Sequence, residues 1–225
     1  MQSGKEDRGA REEILGRVRA AVRAPAPRQQ SGSVGPIFAT VTDPLERFQS
    51  ECAANHTDVV LAANGDETVT ALHRLLASLP PGEIFVQDTP ELRRLTLGLD
   101  ARQSILWSSG GPPPESSQVA ISHCEALVGQ TGSVLVSSHG CGGRGASIVA
   151  PCHVIVASAD QIVPDLEAAL ARARQIAFGN SFVGLITGCS RTSDIEKRLI
   201  IGAHGPRRVV VIVRLSSGPS VPEIT

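Results

Sequence analysis

The stretch FVGLITGCSRTSDIEKRLIIGAHGPRRVVVIVRL, residues 182–215, contains the pattern that decides the fold. It begins and ends with apolar runs of strand length, FVGLIT and VVVIVRL. Between them, Ser193 followed by Glu196 is typical of a helix start and Gly202 of a helix end, which predicts a helix over residues 194–201. A strand, a helix and a strand in succession indicate an α/β domain.

The sequence upstream repeats this alternation. Helical periodicity predicts further helices over residues 43–54, 66–79, 89–99 and 164–178. The middle of the chain instead carries strand-like runs without long helices between them, at residues 104–108, 119–122, 133–137 and 153–157. Part of the sheet is therefore expected to be antiparallel. The predicted fold is α/β, with a mixed sheet flanked by helices.

The first 36 residues differ from the rest in composition. Residues 1–30 hold seven basic and four acidic residues, a net charge of +3, and an apolar helical stripe formed by Ile14, Leu15, Val18 and Val22. Residues 24–35 are rich in Pro, Gly and Ser. The sequence thus predicts a helix and linker over residues 1–36 and one large domain over residues 37–225. A docking helix is favoured over a mitochondrial presequence, in which acidic residues are disfavoured.

Composition excludes several classes of function. A net charge of −1 and an aromatic content of 3% argue against a nucleic-acid surface. No apolar run approaches the roughly 20 residues that span a bilayer, and the first residues lack an apolar signal core. The five cysteines are an odd number at irregular spacings, which indicates a reducing compartment. We expect a cytoplasmic protein.

The loop before the predicted helix of residues 194–201 offers several hydrogen-bond donors to an anion. Ser190 and Thr192 supply hydroxyls, and Arg191 supplies a guanidinium that binds carboxylate or phosphate. The loop follows a strand, and ligands of open α/β sheets gather at the carboxyl ends of strands. The alternative is that Arg191 pairs with Asp194 while the hydroxyls only cap the helix.

Other polar turns are expected near this loop. His204 lies in the turn GAHGP and is the candidate acid/base group, although a structural histidine bonded to a carbonyl is the alternative. Gly205 allows close approach of the backbone. The turn QTGS, with Thr131 and Gly132, and the glycine-rich loop HGCGGRG at residues 139–145 are expected to converge on the same end. The predicted ligand is a small carboxylate or phosphate.

Neither a metal nor a cofactor is expected on this chain. The glycine-rich loop lacks the complete dinucleotide and P-loop patterns. Zinc-type ligands occur in the wrong spacing, at His139, Cys141, Cys152 and His153. No C-x-x-C pair is present for an iron–sulfur cluster. Cys189 is either a thiolate nucleophile beside Arg191 or, as we favour, a small buried residue.

Three motifs resemble the LUD-domain family: QTGSVLVSS at residues 130–138, APCHVIVAS at residues 150–158 and TGCSRTSDIEKRLIIGAHGP at residues 187–206. The likeness covers residues 40–215 with the order and spacing of all three. It implies a fold similar to the NagB, RpiA and CoA-transferase-like group. It also implies a role in oxidising L-lactate to pyruvate beside two partner proteins that carry iron–sulfur clusters.

The resemblance carries over to individual residues. The family pattern G-x-S-R-T-A-D-I-E is matched by Gly188, Ser190, Arg191, Thr192, Asp194, Ile195 and Glu196, and departs at Ser193. The G-x-H-G-P element is matched by Gly202, His204, Gly205 and Pro206. Cys189 occupies a variable position, which weakens the nucleophile interpretation. Gln130 stands where an acidic residue is frequent, so no carboxylate role is carried over there.

Three functions stay open, and whether the chain is an enzyme is open with them. The first is an accessory or small-acid-binding subunit of a cytosolic lactate-oxidising assembly, with iron–sulfur subunits as partners and homo-oligomerisation allowed. The second is a stand-alone enzyme or binder acting on a phosphorylated sugar or acyl-CoA, by analogy of fold. The third is a docking face without a ligand.

Overall fold

The computed structural model describes residues 3–23, 40–99, 103–192, 200–201 and 205–215. Its contacts divide the chain into two units, Met1–Ala39 and Thr40–Thr225. The first unit contains helix α1, Ser3–Arg23. Ile14 and Val18 on its apolar stripe are 59% and 53% exposed. No described helix is both long enough and apolar enough to cross a membrane.

The described helices of the second unit each begin at a polar cap. They are α2 Pro44–Ala54, α3 Gly65–Ala77, α4 Pro90–Leu95 and α5 Leu166–Ile176. In each, the cap side chain accepts a hydrogen bond from the backbone N–H three residues later; the caps are Asp43, Asn64, Thr89 and Asp165. This bond satisfies a donor that the first helical turn leaves free.

The described strands are short. In chain order they are β1 Thr57–Ala62, β2 Glu83–Val86, β3 Ser104–Trp107, β4 Ser117–Ser122, β5 Ala126–Val128, β6 Ser133–Ser137, β7 Cys152–Ser158, β8 Ile162–Val163, β9 Val183–Ile186, β10 Arg191–Thr192, β11 Ile200–Ile201 and β12 Arg208–Arg214. Six of them form a sheet in the order β1-β12-β7-β4-β2-β3, in which every neighbouring pair is parallel.

A second sheet has the order β8-β5-β6-β9. Here β6 pairs antiparallel with both β5 and β9, while β5 and β8 are parallel. The expected mixture of parallel and antiparallel pairs is therefore confirmed, but it is divided between two sheets. The runs at residues 104–108, 119–122 and 153–157 belong to the parallel sheet, although no long helix separates the last two.

The parallel sheet is covered on both faces, as its apolar strands require. On β12, Val210 and Ile212 pack into a core cluster with Leu72 and Leu76 of α3 and Leu92 of α4. The alternate residues Val209, Val211 and Val213 pack into a second cluster with Phe48 of α2 and Leu127 of the second sheet. Burial on both sides confirms the expected sheet flanked by helices.

Two predicted helices are shorter in the structure. Helix α4 ends at Leu95, because the Thr96 hydroxyl donates to the Leu92 carbonyl and Gly98 adopts a positive φ of 75°. Helix α5 begins only after its cap Asp165. It buries Ala169 and leaves Leu170 45% exposed, so the inward face of α5 is the one that carries Ala169.

Candidate functional site

The predicted anion loop lies at the amino ends of the parallel strands. Ser190 N–H donates to Pro206 O over 2.9 Å, and Arg207 N–H donates to Pro151 O over 2.8 Å. Pro206 and Arg207 directly precede β12, and Pro151 directly precedes β7. The preceding strand β9 pairs in the second sheet, so its carboxyl end does not belong to the parallel sheet. The loop follows a strand, as predicted, but that strand belongs to the mixed sheet and not to the parallel one.

The segment after this loop starts as a hairpin. Arg191 and Thr192 pair antiparallel with Ile201 and Ile200. The sequence assigned both isoleucines to the end of a helix, but β-branched side chains are also well suited to strands. Residues 193–199 lie outside the described residues, and with them Asp194.

Only part of the predicted constellation is placed. Arg191 and Thr192 are placed through their backbone, and His204 lies outside the described residues. A Cβ on Gly205 would lie 3.1 Å from the Ser190 Cβ, so these two residues are in contact. The ligand-binding roles given to this segment therefore remain predictions.

Thr131 reaches the same end through a ladder of hydroxyls. Its Oγ1 donates to Ser133 Oγ over 2.8 Å, and Ser133 Oγ lies 2.7 Å from Thr187 Oγ1. Since Ser133 and Thr187 face each other across β6 and β9, the turn QTGS and the anion loop share one edge. The hydroxyls are, however, bonded to one another. Four residues lie at this edge, and we call them together the amino-edge turn: Thr131, Ser133, Thr187 and Ser190.

Gly132 has a packing reason to be glycine. Its φ is +62°, and a Cβ there would lie 2.7 Å from Cys52 N and 2.8 Å from the Glu51 carbonyl carbon. The Cys52 thiol also donates to Gly132 O. The turn is therefore pressed against helix α2, which accounts for the glycine without a ligand.

The glycine-rich loop at residues 139–145 lies at the other end of the sheets. Gln87, which follows β2, donates from Nε2 to His139 O over 3.3 Å. A Cβ on Gly142 would lie 3.0 Å from Ser108 Cβ, just after β3. This loop therefore covers the carboxyl ends of β2 and β3, and the expectation that it converges with the amino-edge turn is wrong.

The zinc-type residues do not meet. Cys152 and His153 are neighbours on β7, so their side chains point to opposite faces of the sheet. Cys152 packs with the α3 side, while His153 Nε2 lies 2.9 Å from Ser122 Oγ. Within the described ranges, no three acidic, cysteine or histidine side chains are arranged to bind a metal.

The five cysteines are free and buried, including Cys189, for which a small buried residue was favoured. Burial raises the pKa of Cys141 and of Cys152 to about 11 and that of Cys52 to about 12. These thiols are protonated at neutral pH, and a thiol is a far weaker nucleophile than a thiolate.

The carboxyl edge of the parallel sheet contains the polar crevice that such folds use for ligands. From β2 the chain passes through α4 to β3 at one side, whereas from β4 it proceeds to β7 and β12 at the other. The connections therefore diverge between β2 and β4. Ligands in open α/β sheets bind at such switch points, beyond the carboxyl ends of the strands.

His123, the first residue after β4, lies in this crevice and is tightly positioned. Its N–H donates to Gln87 Oε1 over 2.9 Å. Ring Nδ1 lies 3.1 Å from Val156 O, and Nε2 lies 3.2 Å from Thr89 Oγ1. Glu91 Oε2 is 3.8 Å from Nε2. Strand β7 and the start of α4 thus fix the ring orientation.

Arg214, the last residue of β12, lies beside it. Its Nη1 donates to Glu91 Oε1 over 2.6 Å, and this half-buried pair is charge-assisted. The Nε of Arg214 is buried and has no hydrogen-bond partner among the described residues. The guanidinium thus retains donor capacity after pairing with Glu91.

These groups border one shallow cavity of about 440 Å³ that is widely open to solvent, which we call the carboxyl-edge pocket. It is lined by Glu91, His123, Ser158, Asp160, Gln161 and Arg214. The Gln161 amide is held, because it accepts from Ser158 N and donates to Cys124 O. Asp160 lies exposed at the rim. The volume is within the range of ordinary small-molecule sites.

A second arginine near this edge is paired with a neighbouring carboxylate. Arg93 binds Asp88 with two hydrogen bonds, of 2.5 and 2.8 Å, and lies over the Trp107 ring at 4.3 Å. The Arg93 guanidinium lowers the pKa of Asp88 to about 2, so this carboxylate is ionised. Arg93 therefore orders the loop between β2 and α4 that carries Thr89.

The residues of the carboxyl-edge pocket were not predicted from the sequence as site residues. Each of them follows or ends a strand of the parallel sheet, or lies in the helix turn after it, as Glu91 does after β2. In the sequence, this position at or after the end of a strand was the signal that could have indicated the pocket. It becomes informative only when β2, β4, β7 and β12 are known to be parallel neighbours, since their carboxyl ends then share one edge.

Fold and pocket together define a class: an α/β domain whose parallel sheet is covered on both faces and has a polar crevice at its carboxyl edge. Within that class, residues 115–213 match the family model of the LUD domain. The predicted resemblance to the LUD-domain family is thereby confirmed over these residues.

The chain is similar to several proteins named lactate utilization protein C. It is 27% identical to that of Geobacillus kaustophilus over 188 residues, 76% of this chain and 78% of the relative. It is 25% identical to that of Bacillus subtilis, over 74% of this chain and 76% of the relative. With that of Deinococcus radiodurans it shares 32% identity over 127 residues, 53% of this chain and 56% of the relative.

A solved structure supports the fold. The crystal structure of a DUF162 family protein from Deinococcus radiodurans superimposes with a TM-score of 0.59 and 18% identity, covering 76% of this chain and 96% of that chain. The narrower expectation of a likeness to the NagB, RpiA and CoA-transferase-like group stays a prediction.

Proposed function

We propose that this chain is a component of a cytoplasmic L-lactate utilization system and binds a small carboxylic acid in the carboxyl-edge pocket. The similarity to proteins named lactate utilization protein C, over about three quarters of the chain, supports the lactate context. The observation that carries acid binding is the Arg214 guanidinium, which lines the cavity beside Glu91 and His123. A guanidinium is well suited to a carboxylate ligand.

The pocket is favoured over the amino-edge turn for two reasons. Its charged side chains face one cavity, whereas the Thr131, Ser133 and Thr187 hydroxyls are bonded to one another. The pocket also lies at the edge where open α/β sheets bind ligands. Binding at Ser190, Arg191, Thr192, Asp194, His204 and Gly205 is the competing proposal.

Addition of L-lactate to the purified full chain is expected to raise its melting temperature, because a ligand that binds only the native state stabilises it. Thermal melts at increasing lactate, pyruvate or phosphate measure this. Arg214→Gln is expected to abolish the shift and Arg191→Ala to preserve it. Loss of the shift with Arg191→Ala alone would move the acid to the amino-edge turn. No shift with any acid would contradict acid binding.

The role as an accessory component with iron–sulfur partners is part of the same proposal. Deletion of the gene is expected to impair growth on L-lactate while growth on glucose is unchanged. Affinity purification from native cells is expected to recover proteins with the visible absorption of iron–sulfur clusters. Normal growth on lactate together with a colourless eluate would contradict the proposal.

A further inference from the structure

We infer that strand β9, Val183–Ile186, is the surface through which two copies of this chain associate, by antiparallel pairing of β9 with its own copy about Gly184. The mixed sheet, β8-β5-β6-β9, then continues from one copy into the other. This inference is independent of the proposed function. It rests on the backbone, the side chains and the charge at one edge of the mixed sheet.

Strand β9 is a sheet edge with outward backbone groups. Among the described residues it pairs only with β6. Just before β9, Ser138 N–H donates to Phe182 O over 2.9 Å. Because bonded and non-bonded pairs alternate in an antiparallel ladder, Gly184 directs its backbone groups toward β6, whereas Val183 and Leu185 direct theirs away from it. Such a row of N–H and C=O groups is a template for pairing with another strand.

The side chains along this edge are apolar and partly exposed. Leu185 is 38% exposed and lies on the same face of the strand as Val183. Phe178, in the turn that leads into β9, is 98% exposed. This turn is held in place, because the side chain of Asn180 accepts from His139 N–H over 2.9 Å. An exposed phenylalanine on a fixed turn beside an open strand edge is typical of an association surface.

The charge of this segment favours a second copy as the partner. Residues 175–190 include no charged side chain. At a two-fold contact the same patch meets itself, so a charge near the axis would face a like charge. Soluble proteins often protect an edge strand with charged residues, as Asp58 does on β1 at an edge of the parallel sheet. An unprotected, uncharged β9 agrees with an edge that self-association covers.

Pairing about Gly184 matches the outward backbone groups of the two copies. Val183 of one copy then lies opposite Leu185 of the other, and each of the two symmetric pairs exchanges both of its hydrogen bonds. The Val183 and Leu185 side chains also contact each other across the strands. The end of the second copy's β9 lies opposite the turn that carries Phe178, so the phenylalanine ring is at the interface.

Sedimentation velocity of the purified full chain at increasing concentration tests the inference. The unmodified chain is expected to sediment as a dimer. Leu185→Glu is expected to be monomeric, because the contact would desolvate two carboxylates without a partner for either. Leu97→Glu is the matched control, since Leu97 is an exposed leucine just after α4 and outside the mixed sheet. It is expected to remain dimeric.

A mixture of two variants tests the register. In the antiparallel pairing, the side chain introduced by Val183→Lys in one copy lies opposite the one introduced by Leu185→Glu in the other. Opposite charges at directly facing positions stabilise a strand pair. Mixing the two variants is therefore expected to restore a dimer that Leu185→Glu alone does not form. Circular dichroism melts confirm that each variant is folded.

The inference can fail in separate ways. An unmodified chain that stays monomeric at every concentration would overturn it and leave the edge to a strand of another protein. A folded Leu185→Glu variant as dimeric as the unmodified chain would place the contact between copies elsewhere. Failure of the mixed variants to associate would contradict the antiparallel pairing about Gly184.

Discussion

The Gly132→Ala variant is expected to lose about 2 to 5 kcal/mol of unfolding free energy. Two costs combine. Alanine at a φ of +62° adopts the left-handed region, and its Cβ would lie 2.7 Å from Cys52 N. The neighbour is helix backbone, which cannot rotate away as a side chain would. Urea denaturation followed by circular dichroism measures the loss.

Gly98→Ala is the matched control for this substitution. Gly98 has a φ of +75°, and no atom lies within 4 Å of a Cβ built there. It therefore has only the backbone cost, about 1 to 2 kcal/mol. Equal losses at the two positions would contradict the packing of the turn against α2. The folded fraction of Gly132→Ala is expected to bind acid normally, since the carboxyl-edge pocket lies at the opposite edge.

Local signals made the helices of the second unit predictable. The cap of α2 illustrates this, because Asp43 Oδ1 accepts from Glu46 N over 2.9 Å, a contact between residues three positions apart. Likewise, Leu72 and Leu76 recur at helical spacing and are both buried. Such features depend on neighbours in the sequence, which one sequence displays directly.

Sheet membership was not predictable in the same way. The runs containing Leu135 and Ile155 are both short, apolar and strand-like, yet the first is in the mixed sheet and the second in the parallel one. Pairing partners are distant in sequence, so periodicity carries no information about them. The strand before the anion loop was predicted, but its membership in the mixed sheet was not.

The carboxyl-edge pocket was missed for the same physical reason. Arg214 and Glu91 are 123 residues apart in sequence, and His123 contacts Val156 and Thr89 across more than 30 residues each. Residues 187–206 instead carry both the local anion-binding signals and the family resemblance. That segment indicated the family correctly, whereas the pocket depends on which strands are neighbours.

The pH dependence of stability is expected to report on another long-range feature, the buried ring of His153. Ser122 Oγ donates to His123 O over 3.0 Å, so His153 Nε2 carries the proton that bonds to Ser122 Oγ. Nδ1 is buried and has no hydrogen-bond partner among the residues that the structure describes. A protonated ring would have an unpaired charge there, and burial accordingly lowers the pKa of His153 from 6.5 to about 4.

The unfolding free energy is therefore expected to fall by about 3 kcal/mol as the pH drops from 6.5 to about 4, on account of His153 alone. In this interval the unfolded chain binds a proton that the folded chain does not, so acid favours unfolding.

Urea denaturation of the unmodified chain and of His153→Gln across this range measures the difference, since the carboxylates common to both cancel. The exposed His139→Gln is expected to follow the unmodified chain. Parallel pH curves for the unmodified chain and His153→Gln would show that the ring is protonated in the folded state, which would require an acceptor for Nδ1 that the buried position does not provide.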